Sequence, residues 1–382
     1  MNTSASGPVV RNHTARRALF GLALTAALAA GCFPDDLLRS PDASADVPRT
    51  DIVTDIVTED AGDMDAGTKL DVVIPDVQDD AGMTDVPTVP VDADRCAMVP
   101  SAAVPAMPAF TDLPANARDM AFDGRGGLAV AAGNAITLVA SGGVTRPLLP
   151  VAAGTVTALR YTQSGQIVFA ASTLTDAGVV TGALYVLEPD TNVPTTRWMP
   201  TGQVNGIAVH PDGAVYYSDT TNGTISRFAV GEGAMPQVVA RDVPAPRALA
   251  FDATGRTLYA GGGNGVYRLS LDPVDGGMAP AAMIYGGIDT VAGLAADTCG
   301  NLWVSDERPY PATSRIFRLG MSVEVPIVYE SQNGVRGVAF GQGGAFNEAA
   351  LYFLQPSGMP PANAVRSILV VAPGVPRPAP SP

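Results

Sequence analysis

Short apolar runs broken by Gly, Asp and Pro recur along residues 112–373, and six of them share one register. The six segments are RDMAFDGRGG, TALRYTQSG, NGIAVHPDGAVYYSD, RALAFDATGRTLYAG, AGLAADTCGNLWVSD and RGVAFGQGG. Each has an apolar residue at one position: Met120, Leu159, Ile207, Leu249, Leu294 and Val338. Six residues later each has a glycine: Gly126, Gly165, Gly213, Gly255, Gly300 and Gly344. The apolar positions follow one another at intervals of 39, 48, 42, 45 and 44 residues. A near-constant period of short strands predicts a propeller with one blade per repeat, hence an all-β, six-bladed β-propeller.

Within a blade, the first strand is short and apolar, with Ala121, Ala208, Ala250, Ala295 or Ala339 after the shared position. Such small residues suit a crowded wall around a central channel. The glycine supplies the positive φ of a tight hairpin. VYYSD and LWVSD predict second strands, TISRFAV, VYRLSL and RIFRLG third strands, and PQVVAR and VPIVYE outer strands. Blade two shows a longer loop around Thr173–Gly182, and blade six an insertion around Ala345–Ala350. After SILVVAP at 367–373 the tail VPRPAPSP offers no further strand, so the outer strand of blade six is expected from AMVPSAAVPAMPAF, ahead of blade one. This exchange would close the ring and remove an exposed edge.

The N-terminal quarter has a different pattern. Arg11, Arg16 and Arg17 precede the apolar run ALFGLALTAALAA and then Gly31-Cys32, the plan of a secretory signal too short to span a bilayer. Leu28–Cys32 resembles the bacterial lipobox, which implies a signal peptide over 1–31 and lipidation at Cys32. Phe33, where an inner-membrane retention signal would have Asp, implies an outer-membrane anchor. Residues 32–95 read as a disordered acidic tether, because Asp, Val, Pro and Thr without aromatics beyond Phe33 bury too little apolar surface to offset ordering entropy. Asp63-Met64-Asp65-Ala66-Gly67 fails as a calcium loop, since its fifth and twelfth positions are Gly67 and Ile74. The propeller is expected over 96–373 and a disordered Pro-rich tail over 374–382.

Charge follows the same division. The net charge of −14 splits into +3 over residues 1–32, −13 over 33–95 and −4 over 96–382. With no basic excess in the folded part, nucleic acid is excluded as a partner.

Asn205–Phe228, NGIAVHPDGAVYYSDTTNGTISRF, resembles an NHL repeat, and the region 112–373 is similar to the senescence-marker-protein/gluconolactonase superfamily of six-bladed propellers. That resemblance implies a divalent-metal site at the channel mouth, with a Glu, two Asn and an Asp from the first four blades. The residue two places before each shared apolar position belongs at this mouth: Arg118, Thr157, Asn205, Arg247, Ala292 and Arg336. Only Asn205 matches a ligand type; the fourth-blade Asp aligns with Arg247 and the first-blade Glu with Arg118 or with Asp119, the one acidic residue that could still serve. A guanidinium repels a divalent cation, so the expectation is no bound metal and no catalytic residues, with calcium at Asn205 and a divergent metal-dependent hydrolase as the alternative.

Arg118, Arg247 and Arg336 around one opening either recognise an anion or pair with Asp219 and Asp306 at the ends of second strands. His13 and His210 are the only histidines, too few for a Ser-His-Asp or multi-His site, and His210 reads as a turn residue. Trp198 and Trp303 read as packing residues. With Cys32 lipidated, Cys96 and Cys299 remain to form a disulfide in an oxidising compartment, stapling the closing strand to the inner turn of blade five on the face opposite the mouth. Altogether the sequence predicts a non-catalytic propeller anchored to the lipid membrane, binding an anionic small molecule or an envelope protein.

Overall fold

The computed structural model describes residues 93–375, apart from 108–110, 114–115, 150–151, 153, 189–190, 192, 232–234, 272–277, 321–324, 345 and 357–363. Every described residue lies in the second of the two units into which the chain divides, Asp79–Pro382. The expected signal peptide, Cys32 and residues 33–92 of the expected tether fall outside the described residues. No helix among the described residues is long and apolar enough to cross a membrane.

Six antiparallel four-stranded sheets follow one another in chain order, which makes the chain an all-β, six-bladed propeller. The inner strands are Ala117–Phe122, Thr155–Tyr161, Val204–Val209, Leu249–Phe251, Val291–Ala296 and Arg336–Phe340. The shared apolar positions Met120, Leu159, Ile207, Leu249, Leu294 and Val338 are all buried. The six expected glycines all have positive φ, from 59° at Gly344 to 102° at Gly126, as hairpins between first and second strands require. Thr173–Gly182 of blade two is not a loop. Ile167–Leu174 and Val180–Leu187 extend as a long hairpin closed by a turn in which Thr175 N–H donates to Val179 O at 2.9 Å. The blade-six insertion folds inward, with buried Phe346 edge-on to Phe122 of blade one at 4.8 Å between ring centres.

Blades meet through the residue just before the shared apolar position. A Cβ added to Gly206 would lie 1.6 Å from the Arg247 carbonyl oxygen, and one on Gly293 would lie 2.7 Å from Val338 N. These glycines let neighbouring inner strands approach backbone to backbone. Blade one has Asp119 there instead, and its Oδ2 accepts from Leu159 N–H at 3.0 Å, so a side chain makes the contact between blades one and two.

Blade six closes by exchange between the two ends, with sheet order Thr111–Asp112, Ala364–Leu369, Ala350–Gln355, Arg336–Phe340. The ladder pairs Thr111 with Val365 and Asp112 with Ala364, just past the stretch expected to supply it. Pro100 and Pro105 explain the offset, since each lacks a ladder N–H. The stretch instead makes single bonds, from Val104 N–H to Val328 O and from Met107 N–H to Ser367 O, both 2.8 Å.

A disulfide joins Cys96 to Cys299 across 203 residues of sequence. Cys96 sits in a short helix, α1 (Ala93–Ala97), which begins ahead of the expected domain boundary because the disulfide ties it to blade five. Past the last strand the tail also runs on: Thr298 N–H donates to Pro373 O at 3.0 Å, and Asp297 bridges Gly374. Blade five thus holds residues expected in the free tail.

Candidate functional site

A β-bulge lies near the start of five inner strands. In blades one, two, three and five the extra, unpaired residue is the mouth residue itself: Arg118, Thr157, Asn205 or Ala292. Bulges re-aim side chains at the ends of strands, and here they recur where the channel opens. In blade six the register shifts between Arg336 and Val338, and in blade four Arg247 precedes the inner strand.

The three mouth arginines form one electrostatic site. Desolvation holds the Arg118 guanidinium below its ordinary range; the like charge of Arg336 adds to this, Glu307 opposes it, and Arg247 adds again. It remains charged at neutral pH. Arg336 donates from Nε to Glu307 Oε1 at 2.6 Å. Among the described residues Arg118 and Arg247 have no ion-pair partner, so the cluster carries two uncompensated positive charges.

Asp219 and Asp306 do not neutralise this cluster. Asp306 is fully buried and holds Arg308 at 2.9 Å and Arg315, its cross-strand partner, at 3.0 Å. Asp219 is buried against Asn222 of its own turn, whose N–H and side-chain amide donate to it at 3.0 and 2.8 Å. Each carboxylate is taken by a donor within its own blade, leaving neither for the mouth arginines nor exposed to a ligand.

Asn205 donates from Nδ2 to Thr220 Oγ1 at 2.9 Å, and Thr220 in turn donates to Pro246 O at 2.6 Å. Among the described residues no three His, Cys, Asp or Glu side chains cluster as metal ligands. Asp119, the acidic residue left open as a first-blade ligand, lies between blades one and two and pairs with Arg160 at 2.6 Å. The residues present therefore do not make the four-ligand metal set that the sequence resemblance implies.

Three other residues take the structural roles expected of them. His210 Nδ1 accepts from Asp212 N–H at 3.2 Å, and its Nε2 meets Gly255 O of the next blade at 3.1 Å. Trp303 is buried and donates from Nε1 to Asp297 Oδ2 at 2.9 Å. Trp198 packs against the core between blades two and three.

A recess lies at the other end of the channel, among the hairpin turns. It is a cavity of about 660 Å³ that none of the six mouth residues lines. Ala121, Ala208, Ala250, Ala295 and Ala339 all face it, so these small side chains leave open space where the sequence suggested crowding. Phe122, Tyr161, Phe251 and Phe340 complete an apolar wall, with Arg160, Gln163, Asp252 and Gln342 as its polar exceptions. Sequence reasoning passed over this cavity because the alanine column reads equally well as tight packing.

No known family model and no curated protein sequence matches the chain. Solved structures do. A gluconolactonase from Xanthomonas campestris aligns with a TM-score of 0.53 at 14% identity, over 68% of this chain and 88% of that one. The calcium-binding protein regucalcin from Agrobacterium tumefaciens aligns with a TM-score of 0.52 at 15% identity, over 72% and 99%. The fold is that of the gluconolactonase and regucalcin propellers. The PQQ-bound aldose sugar dehydrogenase of Streptomyces coelicolor, with a TM-score of 0.52 at 17% identity over 71% and 99%, is similar to the same degree. A likeness at these identities describes the scaffold, on which unrelated activities occur.

Proposed function

We propose that this protein is an exported lipoprotein, anchored in the outer membrane through Cys32, whose propeller binds an anionic small molecule at the arginine mouth and does not hydrolyse it. One observation carries this reading: Arg118 is desolvated beside Arg336 and Arg247, and Glu307 offsets a single charge. An incoming carboxylate would relieve repulsion among like charges and gain charge-assisted hydrogen bonds beside the desolvated Arg118. The long acidic segment behind the lipobox-like ending would carry the propeller clear of the headgroups.

Calorimetry with a simple sugar acid tests the mouth. Saturable binding is expected, weakening with salt and falling about tenfold or more in Arg118→Ala or Arg247→Ala. Replacing Arg247→Asp together with Arg118→Glu should abolish anion binding and create calcium affinity beside Asn205. A second reading, a divergent metal-dependent lactonase, is favoured by Asn205 at a matching mouth position and by the gluconolactonase and regucalcin neighbours. Tight calcium binding by the unmodified protein, or lactone hydrolysis lost on Asn205→Ala, would establish that reading and refute ours. Mass spectrometry of the mature N-terminus tests the anchor; a free thiol at Cys32 would remove it.

A further inference from the structure

We infer that the turn-end cavity is a second binding site, distinct from the mouth, for an uncharged apolar molecule carrying one hydrogen-bond acceptor. The residue following each shared apolar position faces the cavity, one from each blade: Ala121, Arg160, Ala208, Ala250, Ala295 and Ala339. Five methyl groups leave the channel open, and its volume of about 660 Å³ is in the range of small-molecule sites. Its wall is predominantly apolar, so a ligand would be held chiefly by burial of its own apolar surface.

Arg160 breaks the ring of alanines. Its Nη1 donates to Asp119 Oδ2 and to Leu159 O, both at 2.6 Å, which fixes the guanidinium. Among the described residues its Nε and Nη2 make no hydrogen bond, so a preorganised donor edge remains beside a largely apolar wall. The charge balance determines what that edge accepts. Asp119 already compensates Arg160, and Asp252, held by Thr257 N–H at 3.2 Å, places another carboxylate at the cavity. A ligand carboxylate would face one cation against two carboxylates, whereas a neutral carbonyl takes the same donors without that repulsion. The two ends of the channel thus select opposite chemistries.

The test uses the full chain with Cys32→Ser, so that no lipid accompanies it, and the neutral naphthyl ketone 6-propionyl-2-dimethylaminonaphthalene as a fluorescent probe. Saturable binding of one probe per chain with blue-shifted emission is expected, and 1-naphthalenesulfonate should not displace it. Ala250→Leu and Ala295→Leu, which fill the cavity, should each weaken binding at least tenfold while circular dichroism is unchanged. Should one of them fail to fold, the other and Ala208→Met carry the same test. Arg160→Met with Asp119→Asn, which removes donor edge and counter-charge together, should weaken it about tenfold. Arg247→Ala at the mouth should leave it unaltered, which separates this site from the anion site. Absence of saturable binding, indifference to every filling variant, or equal competition by the sulfonate would overturn the inference.

Discussion

Replacing both cysteines, Cys96→Ser with Cys299→Ser, tests how the ring is held closed. The crosslink spans 203 residues, and the chain-entropy relation for a loop of that length gives about 5 kcal/mol of stabilisation through the unfolded state. The native side of the balance should change little. The turn bearing Cys299 is held independently by Asp297, whose Oδ1 accepts from Cys299 N–H and Asn301 N–H at 2.9 and 2.8 Å. Val99, three residues past Cys96, is itself buried in the cluster around Trp303 and Phe353. The penalty should therefore fall mainly on the unfolded chain, at about 3–5 kcal/mol by urea denaturation followed by tryptophan fluorescence, with a steeper denaturant dependence as the unlinked chain exposes more surface. Amide exchange should also quicken at Val104 and Met107, whose single bonds carry the closing segment to blades five and six. A loss below about 1 kcal/mol, with those amides unchanged, would show that the closing segment needs no staple and refute the argument.

Asp297→Ala should cost about 3 kcal/mol in the same assay, because the buried Trp303 Nε1–H loses its acceptor while two turn N–H groups lose theirs; an altered Trp303 emission in the folded state would confirm the site of damage. Gly206→Ala should destabilise by more than about 2 kcal/mol, since its methyl would lie 1.6 Å from Arg247 O and force two inner strands apart. Gly231→Ala, where an added methyl meets nothing within 4 Å, is the matched control and should be close to neutral in thermal melts.

Short apolar strands in one register and a glycine six residues past the shared position determine the blade, its hairpin and the number of blades, because these are local requirements repeated in every copy. His210 and Trp303 were legible for the same reason: each acts within one turn or between adjacent blades. The pairing of Cys96 with Cys299 followed from there being two cysteines near one end of the ring. What tertiary structure decided is where side chains reach once blades are juxtaposed. Sequence position placed Asp219 and Asp306 at the mouth, yet each is held by a partner in its own blade, Asn222 in one case and Arg308 with Arg315 in the other. Glu307, beside Asp306, is the carboxylate that meets Arg336 instead. Adjacent residues of an extended strand point to opposite faces, so the face each presents depends on register and bulge, which pairing between strands fixes. The cavity was hidden for a related reason. An alanine column specifies small side chains on one wall, but the distance to the opposite wall is set by the curvature of all six blades together.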